Sequence, residues 1–178
     1  LFVLTTFSFV RGQERVITTG VPFLLITPDA RAAGMGELGV ATSPDSYAQQ
    51  WNPAKYAFSA SNSGLGLSYT PYLRQLVDDI FLGSLTYYNK LNDRSAWASS
   101  LKYFSYGNVQ FNNMMSGTII DQGSKRPNEI TLDFSYSLKL SEKFSMAVAG
   151  RFLRSDLKIH TDIDATSANS LGVDIAGF

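Results

Sequence analysis

The chain has 178 residues, of which only 17% are charged while 44% are hydrophobic and 13% aromatic, and its fifteen basic and fifteen acidic side chains cancel. No stretch concentrates Lys or Arg, so the attraction to phosphate on which nucleic-acid binding rests is missing. Cysteine is absent and His160 is the only histidine, which excludes thiolate nucleophiles, Cys-containing zinc sites and two-histidine metal sites.

Residues 1–10 (LFVLTTFSFV) are apolar with small hydroxylated side chains, and Gly12 follows. Residues 1–13 read as the tail of a secretory signal; the other reading is a buried strand. No run reaches the roughly 18 apolar residues that a spanning helix needs. A membrane location would therefore require strands.

Residues 14–62 form a second unit. Between positions 15 and 58 the chain is rich in Gly, Ala and Pro and shows no clean period. Asp29, Arg31, Gly34 and Gly36 lie among alanines that allow close backbone approach. Asp45, Gln49, Gln50, Asn52 and Pro53 then bring turn-forming and hydrogen-bonding groups. Such a segment suits a compact plug or hatch in or beside a lumen, where backbone groups must find partners away from bulk water. The Gly34 and Gly36 spacing lacks the third glycine and preceding strand of a nucleotide-binding loop.

From Ser63 to the last residue the hydrophobic period is two, the mark of strands with one apolar face. Leu65, Leu67 and Tyr69 alternate with small or polar residues. So do Phe81, Gly83, Leu85 and Tyr87, then Trp97, Leu101 and Tyr103. Ile130, Leu132, Phe134, Tyr136, Leu138 and Leu140 make the longest such row. Phe144, Met146, Val148, Gly150 and Phe152 follow after a three-residue turn, and Leu171, Val173 and Ile175 begin another run. About six strands are predicted, each near the ten residues that a tilted membrane strand requires.

The predicted connections alternate in length. Residues 90–94 and 141–143 are short, whereas 71–79, 107–128 and 158–168 are longer and polar. Outer-membrane barrels sort their loops in this way, with the short turns periplasmic. Tyr87, Tyr88, Trp97 and Phe144 near the short turns, and Tyr69, Phe104 and Tyr106 near the long loops, are expected to form interfacial girdles. Six strands alone would leave sheet edges that lipid cannot satisfy. Residues 63–178 are therefore expected to be the first half of a transmembrane antiparallel β-barrel, closed by strands beyond Phe178.

Residues 16–58 (VITTGVPFLLITPDARAAGMGELGVATSPDSYAQQWNPAKYAF) resemble the N-terminal signature of the PorV (LptO) family. The segments SYTPYL (68–73), TYYNKLNDRSAWASSLKYFSYG (86–107) and SYSLKLSEKFSMAVAGRFLRSDLK (135–158) look like that family's successive hairpins. More broadly, a Gly/Ala-rich lead followed by Asn52-Pro53-Ala54 is similar to the FadL superfamily of fourteen-stranded barrels with an N-terminal hatch. The resemblance implies an all-β, non-enzymatic component of the bacterial outer membrane in Bacteroidota, with no cofactor. Its implied partners are outer-membrane lipid, the type IX translocon barrel, secreted cargo proteins bearing C-terminal signal domains, and the surface attachment complex. The chain is about half the length of the family barrel.

The function implied is to accept cargo from the translocon and carry it to the attachment complex. Met114, Met115, Ile119 and Ile120 put adaptable apolar side chains into the long loop 107–128 and are the candidate partner contacts. The alternative is a FadL-like uptake channel for hydrophobic small molecules. Asp162 and Asp164 lack a partner group expected of a catalytic pair, and no Gly-x-Ser-x-Gly elbow accompanies His160.

Overall fold

The computed structural model describes residues 21–75, 79–115, 118–157 and 167–178. The segment 1–13, His160, Asp162 and Asp164 lie outside them. Residues 21–62 hold only short helical pieces. A 3-10 helix (Pro22–Leu25) precedes helix α1 (Ala30–Gly34), then come α2 (Ala48–Trp51) and a second 3-10 helix (Pro53–Phe58). Each piece has a local cause. The Asp29 carboxylate accepts from the Ala32 N–H at 2.6 Å and caps α1. The left-handed Gly36, φ 72°, turns the chain away after it. Asn52 accepts from the Ala54 N–H at 3.1 Å, and Pro53 begins the next helix, where its missing N–H costs nothing.

Among the described residues eight strands follow: β1 (Ser63–Pro71), β2 (Ile80–Asn92), β3 (Ser95–Tyr106), β4 (Val109–Met115), β5 (Thr118–Lys125), β6 (Asn128–Ser141), β7 (Phe144–Asp156) and β8 (Ala168–Gly177). The six alternating runs of the sequence coincide with β1, β2, β3, β6, β7 and β8. These form one antiparallel sheet in the order β1-β2-β3-β6-β7-β8. The predicted count of six is too low, because residues 107–128 are not simply a loop. They carry β4 and β5, which pair with each other as a separate two-stranded sheet.

The tight turns form where the sequence places them. Asn92 Oδ1 accepts from the N–H groups of Arg94 and Ser95, both at 2.9 Å, closing the β2–β3 turn. Ser141 Oγ accepts from the Lys143 N–H at 3.3 Å in the β6–β7 turn. Both hairpins shift register beside their turns, after Lys90 and after Lys139.

Burial along the large sheet runs opposite to that of a water-soluble sandwich. The face covered by residues 21–62 is largely polar: Ser84, Thr86, Ser100, Lys102, Glu129, Thr131, Asp133, Ser135 and Ser137 are all buried. The opposite face carries the apolar rows and is open. Leu132 is 50% exposed, Phe134 56%, Val148 55% and Ile175 72%. Two small apolar clusters fasten the N-terminal segment to the inner face. Ala48 and Tyr56 meet Tyr88, Ala96 and Ala98 in one. Phe23 meets Leu82, Phe104 and Leu153 in the other.

Candidate functional site

Side-chain hydrogen bonds tie the inner face to the segment covering it. Register places Ser100 opposite Asp133 and Asp133 opposite Arg151. Asp133 accordingly accepts from Ser100 Oγ at 3.0 Å and from Arg151 Nε at 2.7 Å. Glu129 accepts from Tyr106 Oη at 2.6 Å and Ser155 Oγ at 2.8 Å. Lys102 donates from Nζ to Gln50 Oε1 of the covering segment. These charges occupy the inward phase of strands whose outward phase is apolar. That phase was readable in the sequence, but which side faces the covering segment is set only by tertiary packing.

The structure brings most of the expected plug residues together. Arg31 reaches Asp45 at 3.0 Å and Ser43 Oγ at 2.9 Å. Asp45 also accepts from the Tyr47 N–H at 3.0 Å. Asp29 accepts from Trp51 Nε1 at 3.1 Å. Asn52 caps the second 3-10 helix and donates from Nδ2 to the Gly177 carbonyl at 2.9 Å, while Pro53 is buried behind it. Gly34 ends α1, and Gly36 supplies the left-handed turn. Neither glycine has a neighbour within 4 Å of where a Cβ would sit, so close backbone approach does not account for them.

Sequence reasoning missed Lys55 and Tyr56. Lys55 is fully buried and donates to the Gly39 carbonyl at 2.8 Å and to Thr42 Oγ1 at 3.1 Å. Burial lowers its pKa, partly opposed by Asp45 and Asp29, while Arg31 adds to the lowering. Tyr56 Oη accepts from the Gln49 N–H at 2.8 Å and donates to the Ser46 carbonyl at 3.0 Å. Burial above all raises its pKa. The Tyr47 hydroxyl is raised too, first by burial and then by Asp29 and Asp45.

Two clefts flank this segment. One of about 940 Å³ runs between Asp29, Arg31, Asp45 and β1. The other, about 530 Å³, is lined by Phe23, Leu25, Ile26, Tyr72, Phe104 and Tyr106, toward the long-loop end. Thr27 borders both, and its buried hydroxyl has no partner among the described residues.

On the outward face, aromatic rings gather at two levels. Tyr87 meets Trp97 at 5.5 Å between centroids and Trp97 meets Phe134 at 5.9 Å. Toward the other end, Tyr69 meets Phe81 at 5.1 Å and Phe81 meets Tyr103 at 5.9 Å. The predicted girdle membership needs correction. Tyr88 and Phe104 are buried on the inner face, stacked against Tyr56 and Phe23, and Tyr106 packs edge-on against Phe104. They hold the phase of the polar residues, so they cannot share the outward rows.

The backbone of the partner-contact candidates is ordered as a hairpin, with Met114 opposite Ile119, Asn113 opposite Ile120 and Met115 opposite Thr118. Among the described residues no group of three or more acidic or histidine side chains could hold a metal, and no helix is long and apolar enough to cross a membrane.

No curated protein matches this sequence. The family described as PorV, type IX secretion system protein PorV, matches residues 9–178. That span contains every strand and the whole covering segment, and the family is one of non-catalytic outer-membrane transport proteins. This chain, with its apolar outward wall and polar inner one, belongs to the PorV family and is a protein-transport component of the bacterial outer membrane.

Proposed function

We propose that the six-stranded sheet is part of the wall of a closed fourteen-stranded FadL-like barrel, that residues 63–178 supply its first half, and that residues 14–62 are its plug. The inverted burial of the sheet supports this. A strand that turns Leu, Phe, Tyr and Val outward and Ser, Thr, Asp and Lys inward is stable only where the outside is hydrocarbon. The outward row Ile130 to Leu140 spans about 33 Å along the strand, or about 23 Å across a membrane at about 45° of tilt, close to the apolar band of about 25 Å on such barrels. Further strands of the same wall would pair with the outer edges of β1 and β8, against which no strand lies among the described residues and which lipid would otherwise leave largely unsatisfied.

On this wall the protein acts as a carrier. It binds secreted proteins through their C-terminal signal domains and moves them from the translocon barrel to the surface attachment complex. The observation that favours contacts at the long-loop end is the β4–β5 hairpin, which pairs with itself and not with the wall. Met114, Met115, Ile119 and Ile120 are its proposed contact residues. Affinity purification of the full-length protein from native membranes tests the role. Secreted proteins with C-terminal signal domains and a large translocon barrel should copurify, and recovery of lipid alone would defeat it.

The second reading, an uptake channel for hydrophobic small molecules, draws on the apolar cleft of about 530 Å³ beside Phe23 and Phe104. Under it, the purified protein should carry an acyl chain that is lost when Phe104 is replaced by a charged residue.

A further inference from the structure

A plug can be a gate that leaves the lumen or a fixed part of the wall, and the two require different boundaries. A gate needs contacts that are few and that solvent can replace at little cost. Residues 47–59 have the opposite arrangement, since they touch each of the six wall strands in turn.

Tyr47 donates to the Leu67 carbonyl of β1 at 2.9 Å. Tyr56 stacks on Tyr88 of β2 at 4.7 Å, and Ser59 shares a 2.8 Å hydrogen bond with the same Tyr88 hydroxyl. Lys102 of β3 donates to Gln50. Ser135 of β6 donates to Gln49 Oε1 at 2.5 Å, and Ser145 of β7 donates to the Ala54 carbonyl at 2.8 Å. Asn52 completes the set on β8 through the Gly177 carbonyl. Anchors this closely spaced leave no free stretch long enough to swing.

The wall is shaped to match. Beneath the plug lie Ala96, Ala98, Ser135, Ser137, Ala147 and Ala149, all small and all buried. On β1 a Cβ at Gly64 would stand 2.3 Å from the Tyr88 ring, and one at Gly66 would stand 3.0 Å from the Tyr47 ring. If residues 47–59 departed, the Lys102 ammonium and the Ser135 and Ser145 hydroxyls would lose their plug partners together, and the Tyr56 and Tyr88 rings would be bared.

We infer that residues 47–59 are a fixed keystone that seals the short-turn end of the lumen throughout the working cycle, so that the protein's transport role is carried by its rim and outer surface and no solute route runs through its interior. This rests on the barrel reading above, and the test separates the two.

Amide hydrogen exchange is measured on the native full-length protein in lipid nanodiscs. The amides of Gln49, Asn52, Lys55 and Ser59 should exchange within about a hundredfold of those in the middle of β6. Faster exchange than that, with β6 and β7 still protected, overturns the fixed plug. Rapid exchange throughout β6 and β7 overturns the wall itself. Residues 1–178 contain no cysteine, so paired Ala54→Cys and Ser145→Cys substitutions, compared with the unsubstituted full-length protein under the same oxidation, give a second readout. The oxidised protein should support secretion within about twofold of its reduced form, and a loss of more than that, restored by reductant, would show that the plug has to move.

Discussion

Single residues show how closely residues 21–62 and the sheet beneath them are fitted. The Tyr88 ring beside Gly64 is held by the Tyr56 stack and by Ser59, so it has little room to yield to a new methyl. Gly64→Ala is expected to destabilise the protein by about 1–3 kcal/mol. Gly150→Ala, where nothing lies within 4 Å of the added atom, should be nearly neutral, and paired thermal melts in detergent check both. Asp133 neutralises Arg151 and lies near Lys102. Asp133→Asn leaves those cations without their carboxylate and should cost about 2–3 kcal/mol by the same measurement. Lys55 carries a pH signature. Its folded pKa is lowered below the ordinary 10.5 by burial, so the unfolded chain binds more protons in the window between the two values. Stability should therefore rise with pH as the solution passes through the lowered value toward about 10.5. Lys55→Met should remove that part of the slope, as seen in melting temperatures followed from neutral to alkaline pH.

At the scale of elements, the six wall strands were legible because each has one apolar face, and period two survives wherever one side of a strand meets a different medium from the other. The β4–β5 hairpin was not legible. Residues 109–125 (VQFNNMMSGTIIDQGSK) interrupt any alternation with paired Asn and paired Met, so no row of period two marks them. The inner aromatics were misassigned for a related reason. Tyr87 and Tyr88 are neighbours in sequence, and only the phase of the whole strand separates the outward ring from the one stacked on the plug. Lys55 and Tyr56 carried no periodic signal, since their partners Gly39, Thr42, Ser46 and Gln49 are brought to them by the turns of an aperiodic segment. The hairpin supports a prediction of its own. Replacing residues 109–125 by a short Gly-Ser turn should leave barrel assembly intact, as judged by heat-modifiable gel mobility, while reducing copurified cargo about tenfold or more. Undiminished cargo recovery would remove Met114, Met115, Ile119 and Ile120 from the contact surface.

For the whole molecule, one sheet has its polar side against residues 21–62 and its apolar side open, and family membership, location and proposed mechanism all agree with that orientation. Residues 1–178 contain two tryptophans, Trp51 and Trp97, and they report on opposite sides of the six-stranded sheet. Trp97 lies on the outward face between Tyr87 and Phe134, whereas Trp51 is held by Asp29 within the segment that covers the inner face. Fluorescence quenching by lipids brominated along their acyl chains, measured on the full-length protein reconstituted into vesicles, separates the two. The emission lost on Trp97→Phe should be emission that the brominated lipid strongly quenches, and the emission lost on Trp51→Phe should be nearly insensitive to it. Quenching of Trp97 by an aqueous quencher and not by brominated lipid would contradict the account.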